Sequence, residues 1–182
     1  LLGGDTVGGS GPQSMGLTAI GAATVVPVPD RAGAKPGDQL WVTGTLGGAM
    51  VGLEALRSGT GDSAAYRRPE ARLAEGITLA PLVSAMMDIS DGLLLDATRM
   101  AQASGVTIAI AADLVPLAVP QARRNEAMRW GDDYELLFTA PADATIPVPA
   151  TRIGEVLPLQ DVPLLVDGAP LAPEENAGFE HN

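Results

Sequence analysis

The 182-residue sequence contains no cysteine and a single histidine, His181, which stands in a polar C-terminal stretch. The lack of cysteine excludes disulfides and thiol chemistry, and we expect the one terminal histidine to be solvated rather than catalytic. Cations are also scarce, because 11 Lys and Arg face 22 Asp and Glu for a net charge of -11. Since a nucleic-acid surface needs clustered Lys and Arg, this balance argues against nucleic-acid binding and fits metal-loaded ligands better.

Long apolar runs are missing as well, and none approaches the roughly 18 residues needed to span a membrane. The first four residues, Leu1 to Gly4, lack the basic start of a secretory signal. We therefore expect a soluble, cytoplasmic protein without a membrane partner. The sequence has no initiator methionine and begins as though a strand were already ending, so we also expect that an N-terminal part is missing.

The apolar content of 46% is sufficient for a packed core, and strand patterns alternate with helix patterns. This alternation predicts an α/β or α+β domain with helices packed over one sheet. Asp167-Gly168 is typical of a hairpin turn. Strands are predicted at 15–26, 40–43, 106–111, 134–139, 152–156 and 164–166. Helices are predicted after 44–48, from 69–70, at 93–104 and within 116–128. The first of these helices has Met50, Leu53 and Leu56 on one face, and the second is expected to bury Leu73, Ile77 and Leu82.

The most informative stretch is Asp88-Ile89-Ser90-Asp91-Gly92, where a strand is predicted to run into a helix that stops at Gly105. Ser90 is a good candidate for the helix N-cap. Asp88 and Asp91 are three residues apart, so their carboxylates can converge beside free helix-start amides.

Two interpretations of these acids remain open. Asp91 can simply complement the helix dipole, an effect of about 0.3 to 1 kcal/mol. Alternatively, two carboxylates roughly 6 Å apart in a cleft repel by about 3 kcal/mol at an effective dielectric near 20, which calls for a divalent cation. Carboxylates together with phosphate oxygens are the ligands that magnesium prefers, and burial decides between the two interpretations.

Other candidates are equally ambiguous when taken singly. Asp5 follows two glycines and is either a ligand or an ordinary turn aspartate. Arg31 is either a solvated loop residue or a phosphate clamp. The glycine-rich helix start at 44–48 can bind an anion, but Ala49 stands where a P-loop has its lysine, which excludes a Walker-type site.

Three acids, Asp132, Asp133 and Glu135, border Gly131 just before a predicted strand. At least one of them can point into a site, or all three belong to a solvated turn. Without a family resemblance, these residues indicate a mononucleotide site on helix starts and nothing more specific.

Taken together, six motifs resemble one family, thiamine-monophosphate kinase, and they occur in that family's order along the whole chain. The resemblance corresponds to the family's C-terminal domain plus the last strand and loop of its N-terminal domain. We accordingly assign residues 1–29 to a remnant of the N-terminal domain and residues 30–182 to the C-terminal domain. The motifs are GGDT at 3–6, RAGAKPGD at 31–38, RPEAR at 68–72, DISDGL at 88–93, GDDYEL at 131–136 and GFEH at 178–181.

The resemblance implies a superfamily that includes aminoimidazole ribonucleotide and selenophosphate synthetases, with a three-layer α/β/α C-terminal domain built on a mixed sheet. It implies ATP-dependent phosphorylation of thiamine monophosphate to thiamine diphosphate, by direct transfer with several magnesium ions. Such chemistry depends on charge neutralisation and positioning, so no catalytic nucleophile is expected. The family's N-terminal domain forms a homodimer, which we expect of the full-length protein.

The resemblance also implies roles for individual residues. Asp5, Asp88 and Asp91 correspond to magnesium ligands. Asp132 stands where the family has a glutamate that touches the thiamine substrate, next to Trp130 in place of the usual first glycine, and Phe179 stands where the family has a tyrosine or another aromatic. ATP contacts correspond to Gly4, Asp5, Arg31 and Ser90.

Two alternatives to the kinase are retained. The chain can belong to another ATP-using member of the superfamily, such as a synthetase, or it can be a binding domain without activity. Because most of the N-terminal half is absent, we expect negligible turnover from these residues alone.

Overall fold

The structure is a computed structural model that describes residues 10–11, 16–171 and 177–178. The helices are α1 Gly48–Ser58, α2 Ala64–Arg67, α3 Leu73–Leu79, α4 Leu93–Ser104 and α5 Arg124–Arg129, with short 3-10 turns at Ala112–Leu114 and Gln121–Arg123. The strands are β1 Gln39–Thr43, β2 Ala85–Asp88, β3 Thr107–Ile110, β4 Leu136–Ala140, β5 Ala150–Leu157, β6 Leu164–Val166 and β7 Ala169–Pro170.

These strands form one sheet in the order β2-β4-β1-β5-β3-β6-β7. Neighbouring strands are antiparallel except β3 and β6, which are parallel. The sheet is therefore mixed, as predicted. Its β6–β7 hairpin turns at Asp167 and Gly168, whose φ values of 51° and 79° suit the predicted tight turn.

Helices lie on both faces of the sheet. Buried residues of α4, among them Leu94 and Met100, join Leu137 of β4 in the main apolar core. On α3, a Cβ built at Gly76 would lie 3.7 Å from Leu136 Cδ1. Because consecutive strand residues point to opposite faces, Leu136 and Leu137 place α3 and α4 on opposite sides of the sheet. The α/β/α layering is thus confirmed.

The buried face predicted for the second helix is wrong. Leu73 and Ile77 are 73% and 61% exposed and Leu82 is also exposed, whereas Leu79 is fully buried. The helix begins at Leu73 rather than at Pro69. An apolar stripe at helical spacing identifies a helix, but it cannot say whether another element covers that stripe. The same holds for α1, where Met50 is buried and Leu56 is exposed.

Two further predictions fail for local reasons. Residues 16–26 form no strand, and Leu17 and Ile20 are almost fully exposed. A strand is stable only when its backbone pairs with a neighbour, and none pairs with it in the described part of the chain. Helix α5 occupies only the end of the predicted 116–128 segment, since Pro116 and Pro120 lack the N–H that a helix interior needs.

None of the helices within the described ranges is both long and apolar enough to cross a lipid bilayer. The boundary drawn at residue 29 between two domains stays a prediction.

Candidate functional site

The junction between β2 and α4 is built differently from the prediction at one point. Gly92, not Ser90, occupies the N-cap position of α4, and no side chain caps the helix there. The φ of Gly92 is 115°, and a Cβ on it would lie 2.7 Å from the carbonyl oxygen of Arg129. Only glycine fits this turn, which leaves Ser90 two residues outside the helix.

The fully buried Asp96 takes over the capping role from inside the first turn of α4. Its Oδ2 accepts hydrogen bonds from the backbone N–H of Ser90 at 3.1 Å and of Asp91 at 3.0 Å. Burial raises the pKa of the Asp96 carboxyl, against the hydrogen bonds from Asp91 and Arg99 that lower it. The loop that carries Ser90 and Asp91 is therefore fixed by a side chain that sequence analysis did not single out.

Arg99 links the two acids of this junction. Its Nη1 donates to Asp91 and, at 3.0 Å, to Asp96 Oδ1. The hydrogen bond to Asp91 is the main reason that the pKa of Arg99 is raised. The spacing of Asp96 and Arg99, three residues apart on a helix, is a signal from which this pair could have been predicted. Asp88, by contrast, is exposed, so burial at this junction does not by itself call for a cation.

The loop over residues 131–135 lies directly on this junction. The N–H groups of Asp132 and Tyr134 donate to the carbonyl oxygens of Ser90 and Ile89, each at 2.9 Å. A Cβ on Gly131 would lie 2.3 Å from the Ser90 carbonyl oxygen, so glycine is required for this approach. Two motifs that are about 40 residues apart in sequence thus form one site.

The three acids of this loop, Asp132, Asp133 and Glu135, have three different environments. Asp133 caps the start of α1. Its Oδ2 and Oδ1 accept hydrogen bonds from Gly47 N at 2.7 Å and Ala49 N at 3.0 Å. Burial above all, with the nearby charges of Glu135 and Asp132, raises the pKa of Asp133 to about 6, although the two amides act in the opposite direction. The anion at the glycine-rich helix start is therefore this side chain.

Glu135 is buried in an ion pair. Its carboxylate accepts hydrogen bonds from Arg72 Nε and Nη2, both at 2.7 Å, and from Thr43 Oγ1 at 2.6 Å. The bond to Glu135 is the largest cause that raises the pKa of Arg72. A Cβ on Gly44 would lie 1.9 Å from Glu135 Oε1, so this glycine makes room for the carboxylate. Arg72 belongs to the RPEAR motif, but the motif does not predict that Glu135 is its partner.

Asp132 and Tyr134 form the remaining part of the loop. The Tyr134 hydroxyl lies 3.3 Å from Asp132 Oδ1. Burial raises the pKa of Tyr134, and the charges of Asp132, Asp88 and Asp91 raise it further. Asp132 and Tyr134 have φ values of 65° and 53°, a left-handed conformation that costs about 1 to 2 kcal/mol per residue.

Three of the predicted site residues, Gly4, Asp5 and Phe179, lie outside the described residues. Within the ranges that the structure does describe, no group of three or more acidic, His or Cys side chains is arranged to hold a metal ion. Gly178, just before Phe179, packs on the junction, since its Cβ would lie 2.3 Å from the Asp91 carbonyl oxygen.

The backbone of Arg31 lies beside the C-terminal end of α4. Its carbonyl oxygen accepts a hydrogen bond from Ser104 Oγ at 3.0 Å, at the C-terminal end of the helix. A helix of 12 residues is about 18 Å long. The backbones of Arg31 and Ser90 consequently lie near opposite ends of α4, and the predicted ATP contact of Arg31 stays a prediction.

Comparison with known proteins decides the family. The sequence model of "AIR synthase related protein, C-terminal domain" matches residues 35–162. The chain belongs to this family. The predicted membership is thus confirmed, and the fold described above is the fold of this AIR synthase related domain.

Thiamine-monophosphate kinases are similar to the chain beyond that domain. The enzyme of Salmonella typhimurium is 33% identical over 100% of this chain and 63% of its own length. The crystal structure of the Aquifex aeolicus enzyme is 34% identical with a TM-score of 0.68, over 80% of this chain and 55% of that one. AaThiL complexed with AMPPCP and TMP is 34% identical with a TM-score of 0.70, over 83% and 54%. The chain therefore spans less than two thirds of these relatives.

Proposed function

We propose that the chain carries part of the active site of a thiamine-monophosphate kinase, which transfers a phosphoryl group from ATP to thiamine monophosphate and yields thiamine diphosphate. The observation that carries this proposal is the contact between two motifs: the N–H groups of Asp132 and Tyr134 donate to the carbonyl oxygens of Ser90 and Ile89, each at 2.9 Å, which brings Asp132 next to the loop that carries Asp91. A relative at 34% identity complexed with AMPPCP, a non-hydrolysable ATP analogue, and with TMP supports ATP as donor and thiamine monophosphate as acceptor.

The donor chemistry of the junction fits magnesium. Asp88 and Asp91 supply carboxylate oxygens, and Mg²⁺ is typically bound by one or two carboxylates together with waters and substrate phosphates rather than by a full protein cage. Asp5 is proposed as the third protein ligand. When bound, the ion would neutralise phosphate charge.

The chain's own residues would bind and orient the two substrates. The hydroxyl of Ser90 can donate a hydrogen bond to a phosphate oxygen of ATP. Arg99, already paired with Asp91, offsets negative charge at the same place. Because the backbone of Arg31 lies near the other end of α4, we assign it to a different part of the nucleotide from the part that Ser90 contacts.

The acceptor side is assigned to the loop over residues 131–134. Asp132, whose Oδ1 lies 3.3 Å from the Tyr134 hydroxyl, is proposed to accept hydrogen bonds from the thiamine moiety. Phe179 is proposed as the aromatic contact. It follows Gly178, which packs against the Asp91 backbone.

A chain that binds its substrates without turning them over is retained as an alternative, and negligible activity of these residues alone remains our prediction. A homodimer through the N-terminal domain and a cytoplasmic location also remain predictions.

An assay of thiamine diphosphate formation tests the proposal. ATP, Mg²⁺ and thiamine monophosphate are incubated with this chain and with a version extended upstream to the length of the relatives. We expect product only from the extended version, and a loss of roughly a hundredfold or more in kcat for D88N and D91N, since charge stabilisation is the largest catalytic contribution. E54Q, on the exposed side of α1, is the control and should retain activity.

Absence of product from the extended version, or equal rates for D88N and the wild type, would contradict the proposed function. Phosphorylation or activation of a different acceptor would favour another ATP-using member of the superfamily. Turnover by these 182 residues alone would contradict the predicted inactivity.

A further inference from the structure

The buried ion pair of Arg72 and Glu135 stands directly behind the loop that faces the site. Two parallel N–H donors of Arg72 meet the two carboxylate oxygens at 2.7 Å each. The side chains are only 18% and 9% exposed. Neither residue belongs to the proposed ligand set. A two-pronged pair of this kind restricts orientation as well as distance.

This pair is also tied to the sheet. Thr43 at the end of β1 donates to Glu135 Oε2 at 2.6 Å, and the same hydroxyl oxygen accepts a hydrogen bond from Leu136 N at 2.8 Å. Gly44 leaves the space that the carboxylate fills. The position of Glu135 is therefore fixed by donors from two separate elements.

The loop next to Glu135 needs such support. Tyr134 precedes it and, like Asp132, adopts a left-handed backbone. Non-glycine residues keep this conformation only where the surroundings overdetermine it. On one side Asp133 is held by the amides of α1, and on the other side Glu135 is held by Arg72 while its carbonyl oxygen accepts a hydrogen bond from Ile89 N at 2.8 Å.

We propose that Arg72 and Glu135 are positioning residues of the site. They hold the segment over residues 132–134 in register with Ile89 and Ser90, so that Asp132 lies beside the loop that carries Asp91. The geometric part of this statement stands on the described contacts. The part that concerns ligands rests on the proposed function, in which Asp132 binds the thiamine moiety.

Amide hydrogen exchange, measured by NMR without any ligand, tests the geometric part. The N–H groups of Asp132 and Tyr134 bond to Ser90 and Ile89, and Ile108 N–H bonds to Pro163 in a distant part of the sheet. In E135Q we expect exchange at Asp132 and Tyr134 to rise at least about tenfold, as befits a lost hydrogen bond to a charged group, with Ile108 unchanged.

Two further variants sharpen the test. R72K keeps the charge but loses the two-pronged geometry, so its exchange rates should lie between those of the wild type and E135Q. E54Q is the matched control, because Glu54 forms an exposed two-pronged pair with Arg123, at 2.9 and 2.6 Å. E54Q should leave the exchange of Asp132 and Tyr134 unchanged.

Kinetics of the version extended upstream then test the ligand part. E135Q should raise KM for thiamine monophosphate about tenfold and change KM for ATP much less, because the loop carries Asp132 and not the proposed ATP contacts. Unchanged exchange at Asp132 and Tyr134 in E135Q would overturn the positioning role. So would a rise in exchange at Ile108 as large as the rise at Asp132 and Tyr134, in both E135Q and R72K. Faster exchange at the loop without any thiamine monophosphate binding by the wild type would overturn the proposed function and leave the positioning role standing.

Discussion

The backbone N–H of Asp91 donates a 3.0 Å hydrogen bond to Oδ2 of Asp96, five residues further along the chain. The same oxygen accepts a bond from Ser90 N, and Arg99 connects the carboxylates of Asp96 and Asp91. The geometry of the proposed metal and nucleotide residues therefore depends on one buried acid inside α4. The Asp96 carboxylate thus ties the loop that follows β2 to the first turn of α4.

Removal of this acid should destabilise the chain. We expect D96A to lower the free energy of unfolding by about 1 to 3 kcal/mol, because two amides lose their acceptor. D96N keeps an oxygen for these amides and should cost less. Urea unfolding gives the values, and D62A is the control, since exposed Asp62 caps Ala64 N at 2.8 Å. Equal losses for D96A and D62A would contradict the prediction.

Two glycines with similar backbones should respond differently to alanine. Gly44 and Gly105 have φ values of 53° and 67°, but a Cβ meets Glu135 Oε1 at 1.9 Å on the first and nothing within 4 Å on the second. We expect G105A to cost about 1 kcal/mol for the left-handed backbone, and G44A to cost at least about 2 kcal/mol, since Glu135 must also move. Unfolding free energies measure both, and equal costs would show that Glu135 is not confined there.

The corrected orientation of α3 can be checked with two leucines. Leu79 is fully buried and Leu73 is 73% exposed. L79A should lower the free energy of unfolding by about 2 to 5 kcal/mol, whereas L73A should change it by less than about 0.5 kcal/mol. Denaturant titrations of the two variants compare them directly. A larger loss for L73A would restore the buried face predicted from the sequence.

Asp133 should give stability a characteristic pH dependence. Burial raises its folded pKa to about 6, above the unfolded value near 3.9. Between these values the folded state binds more protons than the unfolded state, so this residue's contribution to stability increases as the pH falls from about 7 to about 4. The slope can reach about 1.4 kcal/mol per pH unit.

The contribution of Asp133 is isolated by comparing the stability of the wild type with that of D133N at each pH. We expect the stability of the wild type relative to D133N to increase as the pH is lowered from 7 to 5. A constant difference over this range would mean that the Asp133 carboxyl does not titrate there.

Features set by neighbouring residues were predictable from the sequence. Helix α4 followed from apolar spacing and ended at Gly105, and the hairpin turn followed from Asp167-Gly168. Both depend on contacts within a few residues, where local propensity decides the structure. The mixed sheet and its layering were expected from the family resemblance and from the alternation of strands and helices.

Features that depend on distant partners were not predictable. Asp132, Asp133 and Glu135 look alike in the sequence, yet Asp133 caps a helix 84 residues away, and Glu135 pairs with Arg72, 63 residues away. Which acid faces the site is decided by these long-range contacts. Ser90 is not the N-cap because of one close contact. The N-cap position lies so near the carbonyl oxygen of Arg129 that only a glycine, Gly92, fits there.

We propose that the junction of β2 and α4 binds nucleotide through magnesium. Calorimetric titration of the version extended upstream with AMPPCP, with and without Mg²⁺, tests it most directly. We expect binding that requires Mg²⁺ and is weakened roughly a hundredfold in D88N and in D91N but not in D62N. Binding of equal affinity without Mg²⁺, or in D88N and D91N, would contradict the claim, and so would absence of binding.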